Sequence, residues 1–296
     1  MTATQLVTSG DVRIAVYAWG KRPTKQRPRP TLVLVHGYPD SAEIWSDTAE
    51  VLAERFYVVA YDVRGAGLST APRGAKAYAF EHLTSDLRAV IDAVSPHQPV
   101  HLIGYDWGAL QGWDALLSNE LDGRIASFSA GAPSLDHVGH WFHERLRKPT
   151  PRHLKEFFGR ALGSSYMAMF QIPFIPELTW KFGLGRTWSR VVSALEGIPV
   201  AARPSQTADG VNGLGLYRAN LVQALLRPQS RTTDVPVQLI VMQNDPFVPT
   251  SLFEGMETTA PNLSRVEIAA GHWGLLSQPQ ALAEGISNFV LSIEAA

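Results

Sequence analysis

The segment Gly104-Tyr105-Asp106-Trp107-Gly108 sets a carboxylate between two glycines, directly after the apolar run 100–103 and directly before a helical pattern. Small residues two positions either side of a central side chain allow the sharp strand-to-helix bend of a nucleophile elbow, which lifts that side chain clear of the sheet. Serine is the usual occupant, but here it is Asp106. A carboxylate so presented can attack an electrophilic carbon and become an alkyl ester of the enzyme. The plainer reading is that Asp106 only caps the following helix. Two other segments favour chemistry. Asp245 lies in Val-Met-Gln-Asn-Asp-Pro-Phe-Val-Pro, just beyond the run 237–242, and His272 lies in Ala-Gly-His-Trp-Gly, after the run 264–268. Nucleophile, acid and histidine thus each follow a predicted strand, so strand ends would deliver all three to one sheet edge. His272 would there deprotonate water, while Asp245 fixes its tautomer and stabilises the imidazolium.

The elements that must position these groups can be read from periodicity. Residues 5–19 alternate about Ser9-Gly10-Asp11 and predict an antiparallel hairpin. Runs 31–35, 56–61, 100–103, 125–128 and 237–242 are short, β-rich and predominantly apolar, as parallel strands buried on both faces are. Helical patterns at 42–55, 81–94, 109–118 and 279–293 alternate with them, which predicts a mostly parallel, doubly wound α/β sheet. The rhythm breaks between about 134 and 228, where aromatic-rich helical patterns replace strands and turn-like Ala132-Pro133-Ser134 and Arg227-Pro228-Gln229-Ser230 mark the ends. The expected division is a core of 1–133 and 229–296 with an inserted helical cap at 134–228.

Composition removes other classes of function. With 45% hydrophobic residues, 18% charged residues and a net charge of -1, the chain gives no reason to expect nucleic acid or an anionic membrane as its main partner. The locally basic stretch 21–29, with Pro23, Pro28 and the following Pro30, reads as a surface connection. No cysteine is present, so thiolate nucleophiles, disulfides and Cys-bound zinc are excluded. His137, His140 and His143 recur every three residues but lack a carboxylate at zinc spacing, so no metal is expected. Gly65-Ala-Gly67-Leu-Ser69 lacks the Lys-Ser/Thr ending of a phosphate loop, and its Asp-x-Arg prefix fits a structural turn, so no nucleotide or other cofactor is called for. No basic-then-apolar leader and no membrane-length apolar run stand out, which makes a cytoplasmic location the expectation.

His36-Gly37-Tyr38-Pro39 follows the run 31–35, where an elbow fold places the loop that supplies part of its oxyanion hole. The backbone amides of Tyr38 and Trp107 are therefore the expected donors, and His36 is expected to order the loop. Together with Asp-Val-Arg-Gly-Ala-Gly-Leu-Ser at 62–69, these segments make the chain resemble the epoxide hydrolases of the α/β-hydrolase superfamily, relatives of the haloalkane dehalogenases, over nearly its whole length. Pro-Ser-Leu-Asp-His-Val at 133–138 and Asp-Val-Pro-Val-Gln-Leu-Ile-Val at 234–241 are similar to the hydrolase half of a mycobacterial member that is fused to a reductase-like domain; these 296 residues hold no room for such a domain.

The resemblance implies that Tyr166 and Tyr217, in two cap segments, point toward Asp106 and protonate the ring oxygen as it leaves. The Gly-Leu-Gly-Leu before Tyr217 departs from the family's more usual Asn-Trp. His36, Pro39, Trp107, Phe170 and Trp273 are expected to bound the substrate, a small molecule that the aromatic density of the cap marks as bulky and apolar and that the resemblance implies is an epoxide. A monomer or a homodimer fits equally well. Two other readings remain open at this level: a haloalkane dehalogenase with the same nucleophile, although Tyr38 stands where such enzymes often place a side-chain donor such as Asn, and a non-catalytic ligand receptor on the same fold.

Overall fold

The structure is a computed structural model that describes residues 3–295. Eight strands form one sheet: β1 (Gln5–Ser9), β2 (Val12–Trp19), β3 (Thr31–Val35), β4 (Tyr57–Tyr61), β5 (Val100–Tyr105), β6 (Ile125–Gly131), β7 (Val237–Met242) and β8 (Leu263–Ile268). Their order is β1-β2-β4-β3-β5-β6-β7-β8. β1 and β2 pair antiparallel, as do β2 and β4, and every later pairing is parallel. The hairpin expected at 5–19 is present, with Ser9 opposite Val12 and Gly10 at φ 56, a backbone angle that glycine adopts without strain.

Alternate residues of the central strands feed two separate cores, as the pleat demands. Val33, Val35, Val100 and Leu102 pack under the helices Phe80–Val94 and Trp107–Leu117. Leu32, Leu34, Ile103 and Tyr105 pack on the other face, toward Pro279–Glu294 and Ser46–Leu52. Burial on both faces explains why these strands read as unbroken apolar runs. The helical pattern at 42–55 splits into a 3-10 turn, Ala42–Trp45, and a short α-helix, Ser46–Leu52. Its start is set from outside the segment, because the Asp62 carboxylate accepts the Ala42 N–H at 2.9 Å.

Strand order fixes the place of the site. The chain lays β4 on one side of β3 and β5 on the other, so the loops leaving β3 and β5 diverge and leave a crevice at their carboxyl ends. Between β6 and β7 the described residues hold helices and connecting turns only, the longest being Leu135–Arg147, Pro151–Gly163, Gly185–Glu196 and Gln206–Leu226.

Candidate active site

β5 is buried at every position, and the chain leaves it through Asp106 at φ 52, ψ -124, a strained conformation for a residue with a side chain. Glycines make the bend possible. A Cβ at Gly104 would strike the Gly108 carbonyl, one at Gly108 would strike the Val35 carbonyl, and one at Gly37 would enter the Asp106 carboxylate itself. The Asp106 main-chain carbonyl accepts from Ala109 N–H at 2.9 Å and so starts the next helix, but its side chain makes no capping bond. The carboxylate points instead into the crevice, where Oδ1 accepts the backbone N–H of Tyr38 at 2.8 Å.

Asp245 and His272 meet it from β7 and β8. Phe247 and Val248 donate their backbone N–H groups to Asp245 Oδ1 at 2.7 and 2.9 Å, which aims Oδ2 at His272 Nδ1, 2.7 Å away. Nδ1 therefore carries a proton, and Nε2 faces Asp106 Oδ2 at 3.9 Å. The imidazole is wedged between rings, 4.8 Å from Trp273, 5.0 Å from Phe247 and 5.6 Å from Tyr105.

Burial and these partners pull the titrations in opposite directions. Burial raises the Asp106 pKa above the usual carboxylate range, and His272 with the N–H groups of Tyr38 and Trp107 only partly counters it. For Asp245 burial also acts upward, but His272 and the two N–H bonds win and hold it below that range. Burial alone would depress His272; the carboxylates of Asp245 and Asp106 outweigh it and push the imidazole up to about 9. His272 thus carries a positive charge at neutral pH, set between the carboxyl groups of Asp245 and Asp106.

Over Asp106 lies a cavity of about 360 Å³, walled mainly by apolar side chains such as Leu110, Leu135 and Leu225. Trp107, Tyr166 and Tyr217 all line it beside Asp106. Burial holds both phenols protonated well above neutrality, and the Asp106 charge acts on both in the same direction. The Tyr217 ring is boxed by Trp107 at 4.7 Å, Phe170 at 4.9 Å and Tyr38 at 5.2 Å.

Four residues expected to bound the substrate lie outside this lining. His36 is 3% exposed, its Nε2 accepts the Val63 N–H at 2.9 Å and its Nδ1 donates to the Gly37 carbonyl at 2.8 Å. Both ring nitrogens are occupied, burial lowers its pKa, and a neutral His36 staples the loop after β3 to the end of β4. The Pro39 carbonyl accepts from Arg203 and Gln206 at 2.8 and 2.9 Å, which ties the same loop to the helices above. Phe170 stands one layer back, 5.5 Å from the ring of Tyr166, and Trp273 donates its indole N–H to Asp40 at 3.0 Å and its backbone N–H to Glu196 at 2.8 Å. Tyr38 likewise contributes only its backbone, since its phenol donates to the Gly210 carbonyl at 2.8 Å.

Sequence reasoning missed Phe247, which lines the cavity and packs on His272, although it stands two residues after Asp245. Glu196, which grips the histidine loop through Trp273 and Ser277, left no signal, because its partners are 77 and 81 residues away. The Asp-x-Arg turn is structural: Asp62 Oδ2 accepts from Tyr17 and Leu68, and Arg64 makes a buried two-bond pair with Asp86 at 2.7 and 2.8 Å. Among the described residues no cluster of His, Asp or Glu could hold a metal, and no helix is long and apolar enough to cross a membrane.

A strained elbow at a switch point of a mostly parallel sheet, with acid and histidine following in chain order, defines a hydrolase class, and comparison with known proteins agrees. The model of the alpha/beta hydrolase fold family matches residues 30–279, and the chain belongs to that family. It is 37% identical over 303 aligned residues to the "Probable oxidoreductase EphD" of Mycobacterium tuberculosis and Mycobacterium bovis, a match that takes in 98% of this chain and 50% of the relative. The chain therefore spans about half the length of those mycobacterial relatives. It is also 27% identical to human "Epoxide hydrolase 4", over 90% of this chain and 73% of that one. Among solved structures, an epoxide hydrolase of Bacillus megaterium with a bound inhibitor superposes with a TM-score of 0.77 at 22% identity, covering 97% of this chain and 99% of that one.

Proposed function

We propose that this chain hydrolyses an epoxide to a vicinal diol through an alkyl ester on Asp106, with residues 134–228 acting as a cap over a core of 1–133 and 229–296. The observation that carries this is the division of labour at one carboxylate. Oδ1 rests on the Tyr38 N–H, while Oδ2, 3.9 Å from the imidazole, faces a cavity that two phenols also line. Attack by Oδ2 on a ring carbon forms the C–O bond of the ester and breaks the ring C–O bond; Tyr166 and Tyr217 hydrogen-bond the leaving oxygen and hand it a proton.

The raised His272 pKa closes the proton balance. The imidazolium of the resting enzyme resupplies the phenol, directly or through water, and the loss of the Asp106 charge on alkylation removes one of the carboxylates that kept His272 protonated. A neutral His272 is then available to take a proton from water. Hydroxide adds to the ester carbonyl carbon, and the charge that grows on the former Oδ1 meets the N–H groups of Tyr38 and Trp107. Collapse breaks the bond between the carbonyl carbon and the alkyl oxygen, and that oxygen takes the proton of the carboxylic acid so formed, which releases the diol and leaves an ionised Asp106 beside the imidazolium. The names carried by the human and Bacillus relatives support this reading, and so does the pair of tyrosines, which a dehalogenase has no oxygen leaving group to use on.

Trapping provides the test. His272→Gln, exposed to an epoxide that the wild type turns over, should gain the mass of one epoxide on Asp106 and stop there. An unmodified intact mass would refute the covalent scheme. Halide release from haloalkanes that survives Tyr166→Phe and Tyr217→Phe would instead favour dehalogenation.

A further inference from the structure

The cavity over Asp106 contains one positive charge that the mechanism above leaves unused. Arg160, near the end of the helix Pro151–Gly163, lines it together with Ala161, Ser164 and Tyr166. Its Nη1 donates to the Phe247 carbonyl at a long 3.3 Å, and its Nε is buried with no hydrogen-bond partner. Among the described residues no carboxylate pairs with it. Asp106, the sole acid of the cavity lining, is already held by the Tyr38 N–H and faced by His272.

Arg160 also forms part of the wall of a second, more open pocket, between the proline-flanked acid loop (Pro246, Pro249) and the outer turns of its own helix. Lys155 and Arg152 line that pocket too, and its only acid, Glu156, is taken by two other arginines, Arg145 at 2.9 Å and Arg152 at 2.8 Å. A guanidinium with a free buried N–H, set in an apolar wall where cavity meets outer pocket, is an incomplete site. A buried donor without an acceptor, such as this Nε, costs free energy, and a planar fork of N–H donors matches a carboxylate in two parallel bonds.

We infer that Arg160 anchors a carboxylate on the substrate, so that the preferred epoxides are amphiphilic acids. The head group binds at Arg160, the ring lies at Asp106, and the alkyl remainder lies against Leu135, Leu221 and Leu225. This names the substrate class of the epoxide-hydrolase site and rests on that reading. The Arg160 charge, in the same cavity lining as Asp106, offsets the repulsion that an anionic head would meet from that carboxyl group.

The test compares the epoxide of undecenoic acid with the primary amide of the same epoxy acid, which keeps shape and removes charge. Wild type should favour the acid by about tenfold or more in kcat/KM, the size of one charge-assisted contact. Arg160→Gln should abolish that preference by raising KM for the acid about tenfold more than KM for the amide, and Arg160→Lys should restore part of it. Calorimetric titration with dodecanoate and dodecanamide reads the same site without turnover; Arg160→Gln should weaken only dodecanoate, again by about tenfold. Equal binding of the two ligands by wild type, or equal losses for both in Arg160→Gln, would overturn the anion site. If neither epoxide is turned over while dodecanoate still binds in preference, the hydrolase reading fails and the anion site stands.

Discussion

Every residue of β5, which delivers Asp106, is buried, whereas the helix Pro151–Gly163, which leads to Tyr166, has no buried residue at all. The contrast runs through the molecule. Of the fifteen large apolar side chains that stand exposed among the described residues, twelve lie between Leu146 and Leu226, in the helical stretch between β6 and β7. A strained conformation such as that of Asp106 persists only where dense packing overdetermines it, so this carboxylate sits on the close-packed sheet. The layer that carries Tyr166 and Arg160 buries far less, and local opening there costs correspondingly less than opening of the sheet.

If the sheet edge carries the reaction and the helices tune it, substitutions should divide the same way. Asp106→Ala should remove the nucleophile and lower kcat/KM for an epoxide by at least about a thousandfold, with no mass adduct and an unchanged circular dichroism spectrum. Activity retained within tenfold would erase the distinction. Tyr166→Phe and Tyr217→Phe should each cost about ten- to a hundredfold in the alkylation rate, because one phenol remains to bond the leaving oxygen, and the double variant should cost more than about a thousandfold. Single-turnover rates with an epoxide check this; a double variant no worse than either single would mean that only one tyrosine reaches the oxygen.

The pH profile of kcat/KM tests the charge array at the junction of the two regions. Alkylation needs Asp106 ionised, and its pKa is raised, so the acid limb should lie above the ordinary carboxylate value. Proton resupply needs His272 charged, so activity should fall through an alkaline limb near 9, tenfold per unit beyond it. His272→Gln should abolish the alkaline limb of the single-turnover alkylation rate and leave the acid limb in place. An alkaline limb unmoved by that substitution would assign it to another group.

The sheet half was also the legible half. A parallel strand buried on both faces is apolar at consecutive positions, and β3, β5 and β7 announce themselves in that way. The elbow is legible because its steric demands fall within five residues, Gly104 to Gly108. The helical half resisted for two physical reasons. Aromatic residues have the same composition whether they line a cavity or stand one layer behind it, so Phe170 and Trp273 were expected at the lining and Phe247 was not. Docking contacts join residues far apart in sequence, such as Arg203 to Asp40 at 3.1 Å and Glu196 to Trp273, and no local pattern encodes them. His36 illustrates a third limit. Its position beside the elbow suggested contact with substrate, yet two backbone bonds that depend on the approach of β4 consume both ring nitrogens.

The smallest effect sharpens the comparison most directly, because it is an expected absence set against a large loss. Leu102→Ala, in the middle of β5 and fully buried, should open a cavity and cost about 2–5 kcal/mol in urea unfolding. Phe158 and Leu162 on the outer helix are 64% and 77% exposed, so Phe158→Ser and Leu162→Ser remove little area that folding had taken from water. Each should shift stability by no more than about 0.5 kcal/mol. The two side chains lie four residues apart on the same face of the helix, so the double variant should also stay within about 1 kcal/mol, the sum of two small terms. A double variant that loses as much as Leu102→Ala would show that this face is covered in the folded protein in solution, and the contrast between a packed sheet and an open helical layer would fail at that point.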